Sequence, residues 1–156
     1  DPPASAGGDA CGIVVVGRRE NCAYVLADRS KAGESPQGWA TIVAQTAREF
    51  GAREIVAEKN QGGEMVRTVL AHGGCEVPIK LVHASRGKAA RAEPVAALYE
   101  QGRVVHCGSF PALEEELMAL GSADGGGRSP DRADALVWAV THLLPVPKAG
   151  PRVRVL

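Results

Sequence analysis

Two apolar runs stand near the start of the chain. Gly12 to Gly17 (Gly-Ile-Val-Val-Val-Gly) is followed by a polar break, Arg18-Arg19-Glu20-Asn21, and Cys22 to Ala27 resumes the apolar pattern. β-Branched runs around a short polar break predict an antiparallel hairpin. Their continuous apolar character predicts that both faces are covered. From Ser35 the period changes. Trp39, Ile42, Val43, Thr46, Ala47 and Phe50 recur at helical spacing. Ser35 is placed to cap that helix, Pro36 suits its first position, and Gly51 stops it.

The alternation continues to the end. Glu54 to Glu58 predicts a short strand, and a helix runs from the following Gly-Gly pair to about His72. Val77 to His83 predicts another strand. A helix is expected within Arg86 to Gln101, at least from Pro94, because proline fits a first turn better than an interior. Val104 to Cys107 is a short strand and Pro111 to Leu120 a helix with three glutamates near its start, where the dipole favours them. A glycine-rich loop at 121–128 precedes a last helix opened by Ser129-Pro130-Asp131, and the tail from Pro145 is expected to fray. A hairpin followed by alternating helices and strands predicts a mixed α/β sheet with helices on its faces.

Length and composition narrow this. With 156 residues and 45% hydrophobic positions, the chain suits a single domain with a real core. Lys plus Arg equals Asp plus Glu, at 18 each, so nucleic-acid binding would need a local patch rather than net charge. Cys11, Cys22, Cys75 and Cys107 form no CxxC pair and lack zinc-finger histidines, which predicts buried free thiols. With no signal peptide and no apolar run of membrane-spanning length, the expectation is a soluble intracellular protein.

Three acids stand where chemistry gathers. Asp1 opens the chain, Glu58 ends an apolar strand, and Asp134 lies in the first turns of the last helix. Ligands in open α/β sheets collect at strand ends, and a carboxylate cluster implies a hard cation to hold it together. Solvent exposure, or partnership with a helix dipole, would equally explain single members. Asp131, one turn before Asp134, reads first as a helix cap. Lys59-Asn60-Gln61-Gly62-Gly63 could present backbone N–H groups to a phosphate or be an ordinary loop. Arg86, Lys88, Arg91 and Arg103 concentrate positive charge, as a DNA contact or a solvated face. The four histidines are scattered, and neither a P-loop nor a Gly-x-Ser-x-Gly motif is present.

Five segments in order carry a resemblance. They are Asp-Pro-Pro-Ala-Ser at 1–5, Gly-Ile-Val-Val-Val-Gly at 12–17, Ala-Glu-Lys-Asn-Gln-Gly-Gly at 57–63, Arg-Gly-Lys-Ala-Ala-Arg-Ala-Glu-Pro-Val at 86–95 and Ser-Pro-Asp-Arg-Ala-Asp-Ala-Leu-Val-Trp-Ala at 129–139. Together they resemble the C-terminal nuclease domain of the terminase large subunit of tailed phages and gene transfer agents. The resemblance implies a ribonuclease H-like mixed β-sheet flanked by helices on both faces. It implies an endonuclease that uses two Mg²⁺ or Mn²⁺ ions to cut concatemeric double-stranded DNA during genome packaging. Asp1, Glu58 and Asp134 would be the catalytic metal ligands, with Asp131 assisting. Arg86, Lys88, Arg91 and Asn60 would contact DNA. A portal protein, a small terminase subunit and an upstream ATPase domain would be the partners, in the cytoplasm of a bacterial host. The family's P-loop ATPase has no counterpart here, and its first strand, which precedes the first aspartate, would lie upstream of residue 1. Other readings are a junction resolvase or hybrid nuclease of the same fold, and a non-catalytic docking module of the packaging motor.

Overall fold

A computed structural model of the chain describes residue 2 and residues 10–59, 64–120 and 129–145. Asp1, Asn60, the glycine-rich loop at 121–128 and the tail beyond Pro145 therefore lie outside the described residues. The elements follow the expected order: β1 (Val14–Arg19), β2 (Cys22–Asp28), α1 (Pro36–Glu49), β3 (Ile55–Glu58), α2 (Glu64–His72), β4 (Ile79–Val82), α3 (Lys88–Glu100), β5 (Val104–His106), α4 (Pro111–Leu120) and α5 (Asp131–Leu143). Strand β1 pairs antiparallel with β2, β5 joins β2 in parallel, and β3 pairs in parallel with β4. The result is a mixed three-stranded sheet and a two-stranded parallel one with flanking helices, the mixed α/β arrangement that a hairpin followed by alternating elements predicts.

Local sequence explains most of the boundaries. Ser35 accepts a hydrogen bond from the Gly38 amide at 3.1 Å and Pro36 sits at the start of α1, so the cap and the first turn fall where the pattern places them. Beyond the helix Gly51 adopts φ 58°, a left-handed conformation that glycine takes without strain.

Four expectations change. The hairpin break is two residues, not four: Arg18 pairs with Ala23 and Arg19 with Cys22, leaving Glu20 and Asn21 to turn. The turn is anchored by Arg18, whose guanidinium donates to the Glu20 carbonyl at 2.8 Å and the Leu143 carbonyl at 2.9 Å. Nor are both hairpin faces covered. Ala23, Val25 and Ala27 are buried while Leu26 is exposed, so β2 alternates as a one-sided strand does. Helix α3 starts at Lys88 and carries Pro94 in its interior. Proline there removes the amide that would reach back to Ala90, but the first turn is held from outside by ion pairs of Lys88 and Arg91. Finally, all four cysteines are free, but only Cys11 is buried.

Two apolar clusters hold the layers. Ala23, Val25 and Val104 of one sheet meet Val95 and Leu98 of α3, Leu113 of α4, and Leu136, Val137 and Val140 of α5. On the other side, Trp39 and Ala40 of α1 pack with Val66 and Leu70 of α2, Ala57 of β3, and Cys11 and Ile13. Gly12 joins the two halves. A Cβ there would stand 1.9 Å from the Asp131 carbonyl oxygen, so the start of α5 rests directly on a bare backbone. Between β1 and β3 lies a cavity of about 170 Å³, lined by Val14, Val16, Ile55, Ala57, Trp39 and Pro2 among others. Among the described residues, each of these two strands pairs on one edge only. No helix among the described residues is long and apolar enough to cross a membrane.

Candidate metal and DNA site

Three elements end at one place. Strand β3 delivers Glu58 as its last residue, α5 delivers Asp134 from its first turns, and α3 delivers Lys88 and Arg91 from its own first turn. The i,i+3 spacing puts Lys88 and Arg91 on one face of α3, and the i,i+4 spacing puts Asp134 and Trp138 on one face of α5. Two cations at a helix N-terminus oppose the helix dipole. Their position is set by the carboxylates across from them, not by any benefit to α3.

Asp134 is 1% exposed. Its Oδ1 accepts from Arg91 Nη2 at 2.8 Å, and its Oδ2 lies 2.5 Å from Lys88 Nζ. That second contact is one of charge, because Oδ2 has no partner in hydrogen-bond geometry. The other guanidinium nitrogen of Arg91, Nη1, faces Glu58 Oε1 at 3.9 Å. One guanidinium thus spans two acidic side chains that are 76 positions apart in sequence, 134 less 58. Glu58 Oε2 in turn accepts from the indole N–H of Trp138 at 2.6 Å, and the Arg91 guanidinium stacks over the Trp138 ring at 4.9 Å. Lys88 also donates to Ser129 Oγ at 3.0 Å, and its side chain is 41% exposed.

Asp131 is buried one turn before Asp134, but it does not stand at the cap position expected of it. It is the first residue of α5, and the preceding Pro130 makes no side-chain cap. The free amides of that helix end are taken by Glu116 of α4, whose Oε2 accepts from Arg132 N at 2.8 Å and Ala133 N at 3.1 Å. The same glutamate binds the Arg132 guanidinium through Oε1 at 2.8 Å, and Asp28 of β2 takes the Arg132 Nε at 3.1 Å. Glu116 therefore fixes where α5 begins and hence where Asp134 points.

The model of the family described as "Terminase RNaseH-like domain" matches residues 1–143. The chain belongs to that family. The terminase domain is also similar to a solved structure, the large terminase nuclease from thermophilic phage G20c with bound cobalt. That likeness has a TM-score of 0.56 at 16% identity, covering 84% of this chain and 81% of the other. It concerns the ribonuclease H-like fold. No curated protein is matched by sequence.

Of the residues singled out in the terminase domain by sequence, Glu58, Asp134, Lys88 and Arg91 come together, while Asp131 is buried one helical turn before Asp134. Arg86 lies exposed nearby in sequence, with its carbonyl facing Arg91 Nη1 at 3.5 Å. Arg91 is turned inward to the carboxylates, its side chain 10% exposed, whereas Lys88 is the more accessible cation. Asp1 and Asn60 fall outside the described residues. Trp138, Ser129 and Glu116 were not singled out as site residues by sequence. Trp138 stands one helical turn after Asp134, a signal that was readable, but its bond to Glu58 arises only from the fold.

The donors suit a hard divalent cation. Both carboxylates offer oxygen ligands, and the buried Oδ2 of Asp134 is matched, among the described residues, only by the charge of Lys88, with no partner in hydrogen-bond geometry. Among the described residues no cluster of three or more acidic, histidine or cysteine side chains that could hold a metal forms; Glu58 and Asp134 could offer two ligands, and Asp1 lies outside the described residues.

Proposed function

We propose that the terminase domain is a divalent-metal-dependent endonuclease that cleaves double-stranded DNA during genome packaging. The observation that carries this is the convergence of Glu58 and Asp134 on a single guanidinium, with Lys88 beside them. Burying two acids together is unfavourable unless positive charge is supplied, and the strand-end location is where this type of sheet binds ligands. Glu58, Asp134 and Asp1 would hold two Mg²⁺ or Mn²⁺ ions, with Asp131 supporting. The cobalt bound by the G20c nuclease agrees with a divalent requirement. When bound, such ions supply Lewis-acid polarisation of the phosphodiester and stabilise the charge that develops on it. The chain's own groups do the rest. Lys88 and Arg86 meet the DNA backbone, Asn60 adds a polar contact, and Arg91 keeps the two carboxylates facing each other. Portal protein, small terminase subunit and an ATPase domain would be the partners, in the cytoplasm of a bacterial host.

A strand upstream of Asp1, as the family resemblance implies, would find its place between β1 and β3. Among the described residues each of these strands pairs on one edge only, and the cavity between them has largely apolar walls that include Pro2. An inserted strand would join the two sheets into one.

Plasmid cleavage in Mn²⁺ or Mg²⁺ tests the nuclease reading. Cleavage should be lost in Glu58→Gln and in Asp134→Asn, and by the parent chain in EDTA. Full activity in either variant would sink the assignment. Comparison of linear duplex, four-way junction and RNA–DNA hybrid separates a packaging nuclease from a resolvase or hybrid nuclease.

A further inference from the structure

The geometry points to Trp138 as the positioning residue of the site, holding the Glu58 carboxylate through its indole N–H and carrying the Arg91 guanidinium on its ring. The inference rests on the metal-dependent reading above. Glu58 is the last residue of a four-residue strand, and the next described residue after Lys59 is Glu64. Nothing in β3 itself fixes the rotamer of a terminal glutamate, which has three side-chain torsions to settle. The indole supplies that constraint. Its N–H reaches Oε2 at 2.6 Å, a short bond of the kind formed with a charged acceptor. Oε1 is left on the side of Arg91 and Asp134.

The second contact of the ring matters equally. Arg91 lies 4.9 Å above the Trp138 ring while its nitrogens reach Asp134 and Glu58. A guanidinium over an indole face is attracted by the negative potential of the ring and held close to it. One side chain therefore orients both the acid and the cation that bridges the acids. Trp138 and Asp134 share a face of α5 one turn apart, so α5 delivers one acid directly and aims the other through its indole. Tryptophan is the one side chain that joins a donor N–H to an extended aromatic face, and this site uses both.

The test is Mn²⁺ binding by calorimetry on the parent chain and on Trp138→Phe, which keeps an aromatic face for Arg91 and removes only the donor. Groups that orient metal ligands typically change metal affinity by about tenfold to a hundredfold, and a loss in that range is expected, with the melting temperature measured in EDTA little changed. Mn²⁺ affinity unchanged by Trp138→Phe overturns the positioning role alone. A parent chain that takes up no Mn²⁺ overturns the metal reading and this inference with it. A second readout needs no folded variant of Trp138. The indole N–H resonance, assigned against Trp39→Phe, should shift on Glu58→Gln and on addition of diamagnetic Mg²⁺. A resonance indifferent to both overturns the proposed bond.

Discussion

Replacing Arg91 by methionine removes the guanidinium that spans Glu58 and Asp134 while keeping most of the aliphatic stem. Asp134 is buried, and its remaining cation is Lys88, held on Oδ2 without hydrogen-bond geometry. Breaking a buried ion pair by removing one partner costs about 3–5 kcal/mol. Lys88 still compensates part of the charge, so the lower end, about 3 kcal/mol, is expected in EDTA. For a chain of this size that is a fall of roughly 6–12 °C in melting temperature. The stacking on Trp138, worth about 0.5–2 kcal/mol, is lost as well and pushes in the same direction. The informative part is the response to Mn²⁺. A bound ion replaces the missing positive charge, so Mn²⁺ should raise the melting temperature of Arg91→Met by more than it raises that of the parent chain. Thermal melts by circular dichroism in EDTA and in Mn²⁺ read both effects. A loss in EDTA below about 1 kcal/mol, the size of an exposed pair, would refute the reasoning about burial. The same loss in both conditions would refute the link between Arg91 and a metal site.

Further outcomes follow from the supports around the site. Gly12→Ala places a methyl group 1.9 Å from the Asp131 carbonyl, so α5 must move. Overpacking of this kind costs about 1–3 kcal/mol, and weaker Mn²⁺ binding should accompany the lower melting temperature, since Asp134 moves with its helix. Glu116→Ala leaves the Arg132 and Ala133 amides without their cap, and a loss of about 1–2 kcal/mol in chemical denaturation is expected; a neutral result would remove α4 from the positioning of Asp134. Burial raises the Cys11 thiol from 9.0 to about 11. A group whose pKa is raised on folding contributes stability that is complete below pH 9.0 and is lost as pH rises through about 11. Denaturation between pH 9.0 and 11 should therefore show a falling stability that Cys11→Ala reduces by up to about 2–3 kcal/mol. An identical slope in that variant would contradict it.

The order of elements was legible because each carries its own period: two β-branched runs, then helical spacing from Trp39 to Phe50, then short strands closed by glycines. Local chemistry was legible where it is short-range, as in the Ser35 cap. It failed where a distant residue did the local work. Asp131 looks like a cap from its neighbours, yet Glu116, 15 positions earlier by subtraction, occupies the amides. Pro94 looks like a helix start, yet contacts from Asp134 hold the turn ahead of it. The same limit applies to the site. Glu58, Asp134, Lys88 and Arg91 stood out as acids at element ends and as a basic segment. That one guanidinium joins them, and that Trp138 aims Glu58, depends on packing across three elements that no spacing encodes.

If Glu58 and Asp134 hold divalent metal, as proposed, the ion should be visible between them. Anomalous diffraction from crystals soaked in Mn²⁺ tests it most directly. Manganese is expected in contact with the carboxylate oxygens of Glu58 and Asp134, with Lys88 displaced from Asp134 Oδ2. Crystals that show no manganese there, with Lys88 and Arg91 keeping both of their contacts to Asp134, would contradict it.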